Sequence, residues 1–348
     1  MGPPGVIGDV RVVDAAAGVN MPTLDIRTNR EFFVPYLSGS GLEIGALDAP
    51  LRVPAGQAKV VYVDTLTTEE LRRAFPDVAE LVEVGVVASA EELAPIPDAS
   101  QDFIVANHVV EHLVDPLGTL RLWRRKLRSG GILYMAFPAP QHCPDRVRAI
   151  TPVQHLIDDA AASRRRSVDE HILAFALAWN PGLFPDPESL RRVLETMWAT
   201  GTLDLDEPTR ALLGANEAAA LAVLERHRDD NIHQHVFSYD SMIALLRRSA
   251  TESGLALRLL DVSLTKGCLS EYVLVLEAVE PGVAAAEFMT PRARAAERTE
   301  RFAEGWIAEK DRCLEAQRTE LFGLRGQDAK RWLASRLGEL RGRVLGSR

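Results

Sequence analysis

The chain has 348 residues, 47% of them hydrophobic and 26% charged, with a formal net charge of −9. That length accommodates one large domain with an insertion, or two domains, and the negative balance argues against a general nucleic-acid binder. No apolar run reaches the roughly 20 residues of a membrane span, and the N-terminus lacks the basic-then-apolar order of a secretory signal. Three scattered cysteines, Cys143, Cys268 and Cys313, make neither a disulfide framework nor a zinc cluster. A cytoplasmic protein is expected.

Residues 1–36 read as an N-terminal arm, with packing against a sheet beginning over Glu31 to Leu37. Strand one is expected over Gly41 to Gly45 and strand two over Lys59 to Asp64. Thr67 is placed to cap a helix, with Glu70 at its third position. Leu81 to Val87 is apolar apart from Glu83 and suits a buried parallel strand. Asp102 to Asn107 is strand four. Asp115-Pro116 leads into a helix over Leu117 to Leu127, whose apolar residues recur at helical spacing. Gly130-Gly131 should end it, with strand five over Ile132 to Phe137.

Strand six does not follow directly. Residues 139–237 carry helical patches at Val168 to Trp179 and Pro187 to Trp198, and turns at Trp179-Asn-Pro-Gly182 and Phe184-Pro-Asp-Pro187. The sheet pattern resumes with a helix over Tyr239 to Ser253 and strands over Leu255 to Ser263 and Glu271 to Val279. The core is thus 37–138 with 238–280, and 139–237 is an insertion expected to cover a substrate. Residues 281–348 are rich in Ala, Glu, Arg and Leu. Phe302, Trp306, Cys313, Gln317 and Leu321 lie near one helical face, which would pack on the body or on a second copy as a homodimer. From Pro291 onward 14 Lys and Arg face 9 Asp and Glu, so this helical extension is positive while the rest is strongly negative. A solvated helix face is the simplest account.

Four segments carry a family resemblance. They are Gly41-Leu-Glu-Ile-Gly-Ala-Leu-Asp-Ala-Pro50, Val60-Val-Tyr-Val-Asp64, the run from Ser100-Gln-Asp-Phe-Ile-Val-Ala-Asn107 through Glu111-His112 to Asp115-Pro116, and Leu127-Arg-Ser-Gly-Gly131 through Pro138. In order and spacing they resemble class I, Rossmann-like methyltransferases that use S-adenosylmethionine (SAM) and release S-adenosylhomocysteine. The resemblance implies an α/β fold: a seven-stranded, mostly parallel sheet with helices on both faces, its last strand antiparallel. It also implies a cofactor site. A Gly after strand one lets the backbone approach a ligand, and an acid ending strand two accepts from the ribose hydroxyls. On this chain the cofactor residues would be Glu43, Gly45, Ala46, Asp64, Thr65, Ser89, Asn107 and His108. The first loop departs from the family's Gly-x-Gly, with Ala46, Leu47 and Asp48 in its place, and Ser89 stands where an acid is expected. Pro138-Ala-Pro140, Asp145-Arg-Val-Arg148 and Thr151-Pro-Val-Gln-His155 partly match a bacterial branch linked to polysaccharide and natural-product assembly.

SAM carries its own leaving group, so the protein must align an acceptor, exclude water and, for a hydroxyl, supply a base. Histidine suits that last task near neutral pH. His233, His235, His155 and His108 are the candidate catalytic residues, and His112, His142, His171 and Arg164 the candidate substrate contacts. His108 and His112 are expected one turn apart on a helix. His233 and His235 form a His-x-His pair expected on one side of a strand. A divalent metal held by His233 and His235, with His155 or His171 and an acid such as Asp230, is the less favoured alternative, and no metal ligand is assigned. The Arg164-Arg-Arg166 run would bind an anionic substrate group or be a solvated helix end. The expected activity is methyl transfer to an oxygen or nitrogen of a small polar metabolite such as a sugar or natural-product intermediate. The rivals are a scaffold that has kept the fold, and a methyltransferase acting on protein side chains.

Overall fold

The computed structural model describes residues 30–31, 33–263 and 271–280. The expected helical extension 281–348, most of the arm 1–36, and the loop joining the last two strands lie outside the described residues. Seven strands form one sheet in the order β3-β2-β1-β4-β5-β7-β6. They are β1 (Gly39–Ile44), β2 (Ala58–Asp64), β3 (Val84–Val87), β4 (Gln101–Asn107), β5 (Leu127–Pro138), β6 (Leu257–Ser263) and β7 (Glu271–Ala278). Pairings among β1 to β5 are parallel, and β7 runs antiparallel to both β5 and β6. This is the Rossmann-like, mostly parallel sheet. The strand order reverses between β1 and β4, and in open α/β sheets ligands settle at the carboxyl ends on either side of such a reversal.

Alternation along each strand sorts side chains to the two faces. Leu42, Ile44, Ile104, Ala106, Leu133 and Met135 point to a large apolar core with α2 (Pro116–Lys126) and α8 (Tyr239–Ser253). Phe103, Val105, Tyr134, Val273 and Val275 point the other way, where Phe33, Val34 and Leu37 cover them. Trp123 of α2 is fully buried and donates its indole N–H to the Ala90 carbonyl at 2.9 Å, so its burial leaves no unmet donor. Helix α1 (Thr68–Ala74) begins with the expected capping box: the Thr67 side chain accepts from Glu70 N–H while Glu70 reaches back to the Thr67 N–H.

The insertion holds α3 (Val153–Ala162), α4 (Asp169–Trp179), α5 (Pro187–Thr200), α6 (Glu207–Leu212) and α7 (Glu217–His227). Ile172, Leu173, Leu190, Met197, Ala220 and Ile232 belong to an apolar cluster drawn entirely from this segment. Helix α3 differs, because Leu156, Val153 and Ile157 join the main core. The segment is therefore tied to the sheet by its first helix, with its own core beyond.

Four local expectations are corrected. Strand β3 is short and half-exposed, with Val87 48% accessible, because it is the sheet edge and pairs only with β2. Gly130 and Gly131 lie inside β5: the helix already ends at Lys126, and the register against β4 shifts at this point. His108 and His112 are not on a helix. Asp115 caps α2 by accepting from Gly118 N–H at 2.7 Å, and Pro116 is its first residue. The residue before a proline avoids helical backbone, so only a single 3₁₀ turn, Val110–His112, precedes the helix. His233 and His235 lie in a segment that belongs to no strand.

Candidate active site

At the carboxyl end of β1, Gly45 has φ +66, and a Cβ there would meet only Val109 Cγ2, at 3.5 Å. The left-handed backbone and the empty Cβ position let a ligand approach the main chain. Glu43 is 1% exposed, and its Oε1 accepts from Leu51 N–H at 2.8 Å, which closes the loop after β1. Its Oε2 has no aligned hydrogen-bond partner, and neither has either amide atom of Asn107 at the end of β4. Burial pushes the Glu43 carboxyl up to about 7, against the pull of the Leu51 N–H. Asp64 ends β2, and its Oδ1 accepts from Leu66 N–H at 3.2 Å and from the Thr65 hydroxyl at 3.4 Å. The Ser89 hydroxyl accepts from Glu91 N–H at 3.2 Å. Ala46 bonds the loop through its carbonyl to Ala49 N–H, and Leu47 sits at φ +48, a left-handed value unusual for a branched apolar residue.

His108 also has positive φ, +54. Its ring lies between two carboxylates, with Nε2 2.7 Å from Glu271 and Nδ1 3.3 Å from Glu111. Burial disfavours the charged ring, but the two carboxylates outweigh it and lift the pKa to about 9. An imidazolium has no lone pair to accept a proton near neutral pH, so the geometry argues against a general-base role for His108. Glu271 also receives Arg30 through Nη2 at 2.8 Å, completing an Arg–Glu–His–Glu line whose carboxylates are buried while the His108 side chain is 35% exposed.

The remaining histidines divide into two groups. His155, His171 and His235 face one another, with ring centroids 4.8 to 5.6 Å apart, and His155 and His171 also contact Trp198. Burial drives the His235 pKa down to about 3 and holds His171 well below its ordinary value, so both rings are neutral. His233 turns the other way, its ring 4.7 Å from that of His112. The His233 Nδ1–H donates to Asp145 at 2.5 Å and the His112 Nδ1–H to the Ile232 carbonyl at 3.0 Å. Asp230, the acid expected beside this pair, instead bonds His227. His142 lies on a 3₁₀ turn, Pro140–His142, at the exit of β5. Arg164 is paired with Asp159, whereas Arg165 and Arg166 are exposed.

A cavity of about 10 Å³, room for little more than one water, lies among Glu111, Phe137, Cys143, Asp145, His233 and His235. Burial pushes the Cys143 thiol up to about 12, so it offers no thiolate. Sequence reasoning missed Asp145, Arg148, Glu111 and Glu271 as working residues. Arg148 donates to the His233 and Gln234 carbonyls at 2.8 and 3.0 Å and to Asp145 at 2.9 Å, which fixes the His-x-His segment. The Asp145-to-Arg148 and Glu111-His112 runs were visible in the sequence, but their partners lie far along the chain.

Residues 38–135 match the family model of the methyltransferase domain. The sheet order defines a Rossmann-like fold, and within it residues 38–135 are similar to that domain family. Among curated proteins, no sequence matches the chain. Similar solved structures include the CurJ carbon methyltransferase, at 15% identity over 71% of this chain and 50% of that one, with a TM-score of 0.30. The chain thus spans half the length of that relative. A SAM-dependent methyltransferase from Methanosarcina mazei is similar at 15% identity over 70% of this chain and 95% of that one, with a TM-score of 0.35. An arsenic(III) S-adenosylmethionine methyltransferase from Chlamydomonas reinhardtii is similar at 14% identity over 70% and 64%, with a TM-score of 0.31. Among the described residues, no helix is long and apolar enough to cross a membrane.

Proposed function

We propose that the chain transfers a methyl group from SAM to an oxygen or nitrogen of a small polar metabolite, a sugar or natural-product intermediate being the favoured class. The observation that carries this reading is the polar pair buried at the strand-order reversal: Glu43 Oε2 and the Asn107 amide lie close enough to interact but form no aligned hydrogen bond. Buried polar groups are almost always paired in a folded protein, and these lie where a ligand with donors and acceptors would pair them. Glu43 and Asn107 would hold the amino-acid end of SAM, Gly45 would let the backbone approach, and Asp64 would accept from the ribose hydroxyls. When bound, SAM supplies an electrophilic methyl on a sulfonium. The protein's task is to exclude water and to orient the acceptor. Burial holds His235 and His171 neutral, so they would orient the acceptor as hydrogen-bond partners rather than act as strong bases.

Calorimetry with SAM and S-adenosylhomocysteine tests this reading. Both should bind the wild type, and Asp64→Ala should lose about 1.5 to 3 kcal/mol, the range for a bond to a charged acceptor. Absence of heat at high protein concentration would favour the scaffold reading instead. Unchanged affinity in Asp64→Ala would remove the ribose assignment.

A further inference from the structure

We propose that Glu111, His112 and His233 form a binding site for one divalent transition-metal ion at the edge of the cavity. This site is separate from the proposed cofactor residues and holds whether or not the chain transfers methyl groups.

The donor set comes first. One ligand atom from each of the three residues lies within 4.8 Å of the others. Two imidazoles and one carboxylate suit Zn²⁺, Fe²⁺ or a similar borderline cation, whereas Ca²⁺ and Mg²⁺ prefer oxygen-only shells. The tautomers come second. A ligating imidazole usually donates its other N–H to an oxygen, which fixes the ring and frees the ligand lone pair. Both rings show this arrangement: His112 Nδ1 bonds the Ile232 carbonyl and His233 Nδ1 bonds Asp145. Nε2 is thus the free atom on each.

The carboxylate is the third observation. Glu111 is 2% exposed, and neither of its oxygens has an aligned hydrogen-bond donor. Its ion pair with His108 Nδ1, at 3.3 Å, leaves most of its acceptor capacity unused. His108 offsets part of its charge, and a metal ion would supply the aligned partners that its two oxygens lack. The scaffold is rigid as well. The Glu111 carbonyl accepts from Gln234 N–H at 2.7 Å and His235 N–H at 3.2 Å, and Arg148 clamps the same segment from its carbonyl side. Glu111 and His233 line the cavity, which leaves a coordination position for water on a bound ion.

The neighbouring trio His155, His171 and His235 also meets the distance test. Its own three donors are all imidazole rings, and two of them already face carboxylates: His155 Nε2 is 2.9 Å from Asp159 and His171 Nε2 3.6 Å from Glu170. It therefore serves as the rival location in the experiment.

The test uses the full chain without a histidine tag, stripped by chelator and titrated with Co²⁺, whose visible d–d absorption reports protein nitrogen ligands. The expected result is saturation at one equivalent. His112→Gln and His233→Asn should each abolish that stoichiometric binding, Asp145→Asn should weaken it about 10- to 100-fold as an orienting partner, and His171→Gln should leave it intact. Far-UV circular dichroism checks folding, and if one ligand variant unfolds, the other ligand variant and the wild-type titration decide. A wild type without a stoichiometric band overturns the proposal. So does a band that survives both ligand variants, or one that is lost in His171→Gln but kept in His112→Gln, which would place the ion in the other trio.

Discussion

The strand ends that form the floor of the site and the histidine-lined wall above them solve the same problem in different ways. The floor, Glu43, Gly45, Asp64 and Asn107, uses few polar groups and leaves several of them unmet. The wall, Glu111, His112, Asp145 and His233, is crossed by hydrogen bonds and ion pairs that hold each ring at a set orientation. A floor with unmet atoms is arranged for a ligand that supplies the missing bonds. A wall with fixed tautomers is arranged to keep lone pairs and charges in place before any ligand arrives. His108 joins the two, since it touches Glu111 on one side and Glu271 on the other.

That joint predicts the largest effect. Glu271→Ala would leave the buried Arg30 guanidinium, and the half-buried His108 beside it, without their shared carboxylate. Removing one partner of a buried pair costs about 3 to 5 kcal/mol. Urea unfolding should show a loss of that size. A loss under about 1 kcal/mol would mean that the line carries no structural charge and that floor and wall are independent.

Glu43 gives the next effect, through pH. Its folded pKa, about 7, lies above the ordinary carboxylate value of 4.5. A group raised in this way contributes stability that is fully present below the unfolded pKa and is lost as pH rises through the folded one. The loss between about pH 4.5 and 7 is on the order of 3 kcal/mol, at about 1.4 kcal/mol per pH unit. Glu43→Gln retains an acceptor for Leu51 N–H and removes the titration. The difference in unfolding free energy between variant and wild type should therefore grow in the variant's favour across that window. A flat difference would show that Glu43 ionises at its ordinary value.

The floor was legible in sequence and the wall was not, for a physical reason. Glu43, Gly45, Asp64 and Asn107 sit at ends of strands whose apolar runs mark them, so position along the chain fixes position in the sheet. The wall is assembled from residues far apart: His233 with Asp145 are 88 positions apart, His112 with Ile232 120, and Arg30 with Glu271 241. No periodicity reports such pairings. Read alone, His-x-His suggested two rings acting together, whereas the backbone of this segment sends His233 to His112 and His235 to His155 and His171. Glu271 looked only like the first residue of a strand. The seven strands, the closing helix Tyr239–Ser253 and the Thr67 cap were readable because each is written in local pattern.

Gly41 tests how tightly the floor is built. A Cβ at this position would lie 2.3 Å from the Phe103 carbonyl oxygen and 2.5 Å from its ring carbons, and Phe103 is fully buried. Backbone and core would both have to shift, so Gly41→Ala should cost about 1 to 3 kcal/mol by overpacking. Gly45→Ala is the contrast. Its Cβ has room, at 3.5 Å from Val109, and the positive φ costs on the order of 1 kcal/mol. Thermal unfolding should rank Gly41→Ala as the more damaging, whereas cofactor binding should suffer more in Gly45→Ala. The reverse ranking in both assays would break the assignment of Gly45 to the ligand side.

The smallest effect belongs to Thr67, and it separates local from long-range order most cleanly. Its side chain accepts from Glu70 N–H at 3.3 Å, and Glu70 Oε2 accepts from Thr67 N–H at 2.9 Å. These bonds depress the Glu70 carboxyl below its ordinary range. The pair satisfies helix-start donors that would otherwise rely on water, and it fixes the chain just after Asp64 and Thr65. Replacing a capping Ser or Thr by Ala costs about 0.5 to 2 kcal/mol, and the exposed setting places Thr67→Ala near 1 kcal/mol. The urea midpoint should fall by a matching amount with the slope unchanged, since the unfolded surface is the same. Cobalt binding at the wall should stay as in the wild type, because no hydrogen bond of the cap reaches Glu111, His112 or His233. A Thr67→Ala chain that lost wall binding along with its cap would show that the edge of the sheet and the histidine segment fold as one unit, and the division between floor and wall would have to be given up.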